Sequence, residues 1–179
     1  SDGIGDTIRV SLTEAPENEV PVAQMLVDYF ATREGEFTVA HPERYHPTEY
    51  VRRTDVAVPI THDEITSEFK LLEATSANPT AELRAAILSL DEATPVVVKR
   101  RYDDDNEEAV AVKAAADLGV LLLDGLADGI WVDAPHLSAE SQRDIELMIL
   151  QASRVRFSRT EYIACPGCGR TLYDLESTL

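Results

Sequence analysis

Cys165 and Cys168 are the residues whose chemistry is easiest to read from this sequence. They lie in a Cys-Pro-Gly-Cys-Gly turn, in which Pro166 fixes one φ angle while Gly167 and Gly169 permit positive φ values. A turn of this kind aims two thiolates at one point and leaves backbone N–H groups free to bond the sulfurs. The pattern therefore predicts half of a metal or iron–sulfur site, with Cys165 and Cys168 as its ligands.

Two thiolates do not complete such a site, because zinc and the irons of a cluster each need about four ligands. The sequence has no third cysteine, and its four histidines show no zinc-finger spacing relative to the pair. Either the remaining ligands lie beyond Leu179 or the two thiols hold no metal. Two other interpretations are a zinc knuckle in a structural or interaction module and a redox-active thiol pair. The second is weakened because no thioredoxin-like βαβ pattern surrounds the motif.

Composition limits the classes of partner. The chain has 179 residues, of which 44% are apolar, enough for one domain with a core. Its formal charge of −17 argues against non-specific binding to nucleic acid or to an anionic membrane. No apolar run approaches the roughly 20 residues of a membrane span. We therefore expect a cytoplasmic protein with reduced cysteines that binds neither nucleic acid nor membrane.

Periodicity indicates alternating strands and helices. Strands are predicted over residues 7–12, 55–60, 96–98 and 160–164, and residues 36–40 are a further candidate. Helices are predicted from about residue 17 to Phe30, from Thr61 or Asp63 through Ile65, Phe69 and Leu72, from Asn78-Pro79, from Ala111 to Leu126, and after Ser138. Residues 171–179 read as the start of another helix, and Ser1 is not a methionine. We expect both ends to be cuts in a longer protein.

Two basic clusters allow an anion site. Arg44, Arg52 and Arg53 lie in the irregular stretch 41–54, and Lys99-Arg100-Arg101 follows a strand, where ligands gather in α/β proteins. The favoured interpretation of the first cluster is a connecting loop, because loops of this length are surface features first. For the second cluster it is a solvated group facing Asp103, Asp104 and Asp105.

One pattern occurs twice. Residues 124–132 and residues 2–10 both read Asp-Gly-apolar-small-Asp-x-Ile-x-Val, and each is followed by a predicted helix. Two copies of one strand–helix unit indicate an internal duplication of part of a barrel-like layer. The predicted fold class is therefore α/β, TIM-barrel-like or half-barrel, with parallel strands and flanking helices.

The stretches GIGDTIRVSL and YIACPGCGRTLYDL both resemble the 4-hydroxy-3-methylbut-2-enyl diphosphate synthase family. In that family the first motif looks like the last strand of a TIM barrel, and the second opens a domain that carries a [4Fe–4S] cluster. More than half of this sequence separates the two motifs, which resembles the long form with an inserted middle domain. The stretches VVVKRRY, LLLDGLADGIWVDAP and ILQASRVR look like parts of that insert and of the segment that follows it.

The resemblance implies an oxidoreductase of isoprenoid biosynthesis that reduces a cyclic diphosphate with ferredoxin or flavodoxin as electron donor. Its cluster would be held by three cysteines and a glutamate, of which only Cys165 and Cys168 match ligands here. The implied domains are residues 1–16 as the end of the barrel, 17–153 as the insert and 154–179 as the start of the cluster domain. The chain would then be a structural spacer, inactive alone, whose main partner is the remainder of its own chain. A homodimer is also possible.

Overall fold

The computed structural model describes residues 7–10, 16–31, 33 and 49–161. Four of the predicted elements fall wholly or partly outside these ranges: the strand over 36–40, the helix over 171–179, most of the strand over 160–164 and the last two residues of the strand over 7–12. The strand predicted over 7–12 is wrong where it is described, because residues 7–10 have no regular secondary structure.

The described elements alternate between helix and strand. A 3₁₀ turn (Pro16–Asn18) leads into helix α1 (Glu19–Ala31), and a second 3₁₀ turn spans His62–Glu64. Then follow β1 (Lys70–Ala74), α2 (Pro79–Leu88), β2 (Val96–Arg101) and α3 (Glu107–Ala114). A π-helical turn (Ala115–Gly119) joins α3 to α4 (Val120–Leu123), and β3 (Gly129–Asp133) and α5 (Ala139–Ala152) complete the series.

Strands β1, β2 and β3 form one parallel sheet in the order β1-β2-β3. Lys70 lies opposite Val96, and Val97 lies opposite Gly129. Helices connect successive strands, as parallel pairing requires. The α/β class is therefore confirmed, and sequential parallel strands are compatible with a half-barrel. A closed TIM barrel is not formed by the described residues.

The outer edge of β3 is already occupied. Ile60 forms an isolated parallel bridge with Gly129; its N–H donates to the carbonyl of Asp128 at 3.0 Å, and its carbonyl accepts from Ile130 at 3.2 Å. The strand predicted over 55–60 is reduced to this single bridge. Because Ile60 already accepts from the N–H of Ile130, this position on the edge of β3 is not available to another strand.

One face of the sheet packs on the helices. The core combines strand residues such as Val98, Ile130 and Val132 with helix residues from α2 to α5, among them Leu83, Leu118 and Ile145. Helix α1 differs, since none of its residues is buried. None of the helices in the described ranges has the length and apolar character needed to cross a bilayer.

Local capping signals were reliable. The Asn78 side chain accepts from the N–H of Ala81 at 3.3 Å, and Ser138 accepts from Ser141 at 3.0 Å, so both predicted helix starts are confirmed. Residues 120–123 are helical, as their longer periodicity predicted. The helix predicted after Thr61 is wrong: it stops after one 3₁₀ turn, and Leu72 lies in β1. Pairing with the buried strand β2 outweighed helical spacing there.

Candidate functional site

The predicted ligands Cys165 and Cys168 lie outside the described residues, so their role stays a prediction. In the ranges that the structure describes, no group of three or more His, Cys, Asp or Glu side chains is placed to hold a metal ion. The described part of the chain therefore adds no ligand set to the two thiolates.

The second copy of the repeated pattern holds β2, β3 and the loop before Ile60 together. Asp128 is almost fully buried. Its carboxylate accepts from the N–H of Val96 at 2.9 Å, from Arg52 at 2.9 Å and from the hydroxyl of Thr54. A carboxylate with three donors is a structural anchor for the strand ends.

The other aspartate of this copy has a similar role. Asp124 accepts from Arg84 at 2.6 Å, and Arg84 on α2 is only 1% exposed. A buried arginine needs such a partner, since an uncompensated buried charge is costly. Between the two aspartates, Gly125 has a φ of +69°, and a Cβ there would lie 2.2 Å from the carbonyl oxygen of Val51. The glycine is therefore required by conformation and by space.

The described arginines of the first predicted basic cluster form hydrogen bonds within the fold. Arg52 reaches Asp128 and the carbonyl of Val56, and Arg53 donates to the carbonyls of Thr94, at 2.8 Å, and Asp91. The connecting-loop interpretation is confirmed for these two residues, whereas Arg44 lies outside the described residues.

The second basic cluster lies within β2 and divides between the faces of the sheet. Arg100 donates to the carbonyls of Ala74 and Ser76 at 3.1 and 2.9 Å. Arg101 pairs with Asp103 at 3.0 Å. Of the predicted contacts between this cluster and residues 103–105, this ion pair is the one that the described residues form. Asp104 instead pairs with Lys113 at 2.6 Å.

Lys99 is the centre of a polar row on the sheet face opposite the helices. Its ammonium lies 3.3 Å from Glu73 and 3.1 Å from Asp133, and 4.5 Å from the ring centroid of Trp131. Burial opposes the charge, yet the two carboxylates raise the pKa of Lys99 above its usual value. With two carboxylates and an aromatic face against it, this ammonium is held in place.

Glu146 on α5 holds His62, which stacks on Trp131. Its fully buried carboxylate accepts from the N–H groups of His62 and Val132, both at 2.9 Å, and lies 2.8 Å from His62 Nδ1. The His62 ring stacks on Trp131 with centroids 6.0 Å apart. Burial raises the pKa of Glu146. By accepting from the N–H of Val132, the carboxylate occupies the hydrogen-bonding position on the edge of β3 that follows the Ile60 bridge.

Asp117 is the centre of a buried cluster in the π-helical turn. Its carboxylate accepts from Tyr29 at 2.5 Å, from Tyr102 at 3.1 Å and from Arg33. Burial raises the pKa of Asp117 and also the pKa of Tyr29. The Arg33 guanidinium lies 4.1 Å from the ring centroid of Phe30. The cluster thus attaches α1 to the three-stranded α/β unit by charge-assisted hydrogen bonds.

Sequence reasoning missed the buried polar residues Arg84, Asp117 and Glu146. Each lies on a helix, and in the sequence it cannot be distinguished from a charged residue on a solvent-exposed helix face. The signal that they share is a polar residue within the apolar stripe: Glu146 directly follows Ile145, and Asp117 directly precedes Leu118. That signal identifies a buried polar group but not its partner.

Comparisons with known proteins extend over the whole chain. It is 33% identical over 247 residues to a protein of Porphyromonas gingivalis named 4-hydroxy-3-methylbut-2-en-1-yl diphosphate synthase (flavodoxin), covering 100% of this chain and 42% of the relative. A protein of the same name from Phocaeicola vulgatus is 30% identical, with 100% and 45% covered. One from Chlamydia caviae is 47% identical over 81 residues, covering 45% of this chain and 13% of the relative.

The chain is homologous to part of these synthases. It spans less than half the length of the two relatives that it matches throughout. The resemblance carried by the two terminal motifs is thereby confirmed, and these matches give no support to the zinc-knuckle alternative. No family model matches the chain. No solved structure matches it either.

Proposed function

We propose that this chain is the middle part of a 4-hydroxy-3-methylbut-2-en-1-yl diphosphate synthase. The whole protein would reductively open 2-C-methyl-D-erythritol 2,4-cyclodiphosphate, with loss of water, in isoprenoid biosynthesis. The observation that carries the proposal is the match of the entire chain to one segment of relatives that bear this name and are more than twice as long.

In this proposal residues 1–16 end a preceding barrel domain, 17–153 form the insert and 154–179 begin the cluster domain. The insert acts as a spacer between the two neighbours. Its described charged groups support a structural role, because Lys99, Asp117 and Asp128 are each held by partners within the chain. A catalytic group would need access to a substrate.

Cys165 and Cys168 would supply two thiolate ligands of a [4Fe–4S] cluster. Thiolate sulfur suits iron–sulfur chemistry, and two donors fit half of the required set. The remaining ligands would come from residues outside this chain. When bound, the cluster would supply electrons to the substrate. The names of the relatives specify flavodoxin, and we propose flavodoxin, or ferredoxin in its place, as the electron donor.

Anaerobic iron–sulfur reconstitution tests this proposal. The full-length protein and the 179-residue chain are treated side by side and compared by absorbance and by iron content. We expect about four irons per full-length protein and no stable cluster in the chain alone. Cys165→Ser and Cys168→Ser should each abolish cluster formation in the full-length protein. His136→Ala provides the control and should leave the iron content unchanged.

Two outcomes would contradict the proposal. A stable cluster in the chain alone would mean that its own residues complete the site, and the spacer interpretation would then fail. Stoichiometric zinc in the chain, lost in both serine variants, would instead identify the zinc knuckle. Turnover of the cyclic diphosphate by the full-length protein with reduced flavodoxin tests the proposed reaction separately.

A further inference from the structure

Helix α1 presents to solvent a stripe without charged residues of its own, flanked by the exposed Asp28, whose carboxylate accepts from Gln24 at 2.7 Å. The stripe consists of Val20, Gln24, Val27 and Ala31, which we call the outer face; all four residues are exposed, with Val20 at 66% and Val27 at 49%. These positions recur at helical spacing and therefore lie on one side of the helix. An exposed helix face in a chain of charge −17 would ordinarily carry charged residues.

The opposite side of α1 is fastened to the three-stranded α/β unit. Tyr29 and Arg33 both donate to the buried carboxylate of Asp117. Lys113 of α3 lies 5.4 Å from the ring centroid of Tyr29. These contacts fix which side of the helix points away from the three-stranded α/β unit, and that side is the outer face.

The internal repeat indicates what the outer face should contact. Helix α5 follows the second copy of the repeated pattern and buries Ile145, Ile149 and Leu150 against the core. Helix α1 follows the first copy, yet it buries no residue. If the two copies build the same strand–helix unit, α1 lacks the sheet that its own strand would belong to.

We propose that the outer face of α1 is a docking surface for the α/β domain that precedes this chain in the full-length protein. Helix α1 would then be shared: its outer face packs on the preceding domain while Tyr29 and Arg33 attach it to Asp117. This inference rests on the proposed function for the existence of that domain. The long portion of the matched relatives that the chain does not cover leaves room for it.

A second copy of this chain fits the outer face less well. Four small or medium side chains supply too little area for a stable dimer, which buries about 1,200 Å² or more. A neighbouring domain needs less area, because the covalent connection already holds it at a high effective concentration. Rigid attachment through one shared helix would also restrict movement of the spacer relative to the preceding domain.

Hydrogen exchange in α1 tests the proposal. Amides of residues 19–31 are followed in the 179-residue chain and in the full-length protein. We expect exchange at least about tenfold slower in the full-length protein, because docking must open before these amides exchange. The double variant Val20→Lys and Val27→Lys should remove this difference and should leave exchange in the 179-residue chain unchanged. Met148→Lys, at an exposed apolar position of α5, is the matched control and should change neither protein.

Other results would overturn the docking proposal. Equal exchange in the two proteins would mean that nothing covers the outer face. If the double lysine variant converts a dimer of the 179-residue chain into a monomer, the occupant is a second copy. Failure of the proposed function would appear elsewhere, as a full-length protein that forms no iron–sulfur cluster while α1 is still protected.

Discussion

The two copies of the Asp-Gly-apolar-small-Asp-x-Ile-x-Val pattern have different outcomes. The second copy forms the loop before β3 and the strand itself, whereas residues 7–10 of the first copy form no strand. The helices differ in the same way, since α5 is packed into the core and α1 has no buried residue. A shared sequence pattern is therefore not sufficient to form the strand–helix unit. The edge of a neighbouring strand must also be present to pair with it.

Two features of the second copy show what its neighbours contribute. The carboxylate of Asp128 accepts a hydrogen bond from the N–H of Val96, at the start of the adjacent strand β2. At the next position, Gly129 lies so close to Ile60 that a Cβ would be 2.7 Å from Ile60 Cγ1. The first copy has Asp6 and Thr7 at the corresponding positions. The threonine cannot accept an equally close neighbour, so the two copies are adapted to different surroundings.

The largest effect is expected from removing the anchor of the second copy. Asp128→Ala leaves the Arg52 guanidinium and the N–H of Val96 without their carboxylate. Breaking a buried ion pair on one side costs about 3–5 kcal/mol, a large part of the stability of a typical domain. Urea unfolding of the 179-residue chain should show this loss in the free energy of unfolding.

Asp103→Ala is the matched control for Asp128→Ala. Asp103 also pairs with an arginine, Arg101, but its side chain is 74% exposed. Because exposed ion pairs contribute little, the control should unfold at nearly the wild-type urea concentration. If both variants unfold alike, Asp128 is not an anchor and the second copy depends on apolar packing alone.

A smaller loss is expected when Gly129 is made to resemble the first copy. Gly129→Ala and Gly129→Thr both place a Cβ against Ile60 and within 3.1 Å of Val97 Cγ2. Overpacking of this kind costs about 1–3 kcal/mol, measured by urea unfolding. At Gly119 a Cβ would find its nearest neighbour at 3.6 Å, so Gly119→Ala should not destabilise the chain. A neutral Gly129→Thr would show that the threonine does not explain the difference between the copies.

Local signals in the sequence predicted the structure correctly where an element depends mainly on its own residues. Asn78-Pro79, Ser138 and the apolar run 96–98 were correctly predicted, because a cap or a doubly buried strand depends on adjacent residues. Predictions failed where pairing decided the structure. Leu72 has helical spacing from Ile65 but lies in β1, where it pairs with β2. The strand predicted over 55–60 is reduced to a bridge, because only its last residue, Ile60, pairs with β3.

The candidate sites were harder to predict for the same reason. The sequence shows that Asp117 and Glu146 are polar residues next to apolar ones, but two of their donors, Tyr29 on α1 and His62, lie more than 80 residues away along the chain. No local pattern specifies those pairings. The prediction of the cysteine turn is the opposite case, since it depends only on the residue types from Cys165 to Gly169, which lie outside the described residues.

The attachment of α1 should be weaker than the anchoring of β3. Tyr29→Phe removes the hydroxyl that donates to Asp117 but keeps the ring. Losing a hydrogen bond to a charged group costs about 1.5–3 kcal/mol, and this cost falls on α1. Exchange of the amides of residues 19–31 should therefore accelerate, while the amides of α5 should keep their wild-type rates.

Tyr50→Phe is the control for the α1 experiment, because Tyr50 donates to a backbone carbonyl, that of Leu122, at 2.8 Å and does not contact Asp117. It should leave exchange in α1 unchanged. If Tyr29→Phe also leaves it unchanged, Arg33 alone must hold the helix, and Arg33→Gln should then give the acceleration.

The smallest effect concerns the arginines that follow the two helices. Arg33, after α1, pairs with buried Asp117, whereas Arg156, after α5, pairs at 2.9 Å with Glu64, which is 34% exposed. The Arg156 hydrogen bonds lower the pKa of Glu64 to about 2, against 4.5 in an unfolded chain. The stabilisation is therefore present above pH 4.5 and is lost as the pH falls toward 2. Burial shifts the pKa of Asp117 upward, so its contribution changes with pH in the opposite sense.

Glu64→Gln separates the contribution of Glu64 from that of Asp117. At pH 7 the variant should melt slightly below the wild type, by less than a fully buried pair would cause, because solvent screens Glu64. The difference in Tm should shrink between pH 4.5 and pH 3, as wild-type Glu64 begins to take up its proton in the unfolded state. Asp144→Asn, which removes the partner of Arg159 in an exposed ion pair at 3.0 Å, is the control. A Tm difference that stays constant down to pH 3 would mean that Glu64 contributes through its hydrogen bonds from the N–H and the hydroxyl of Thr61, both at 3.0 Å, and not through its charge beside Arg156.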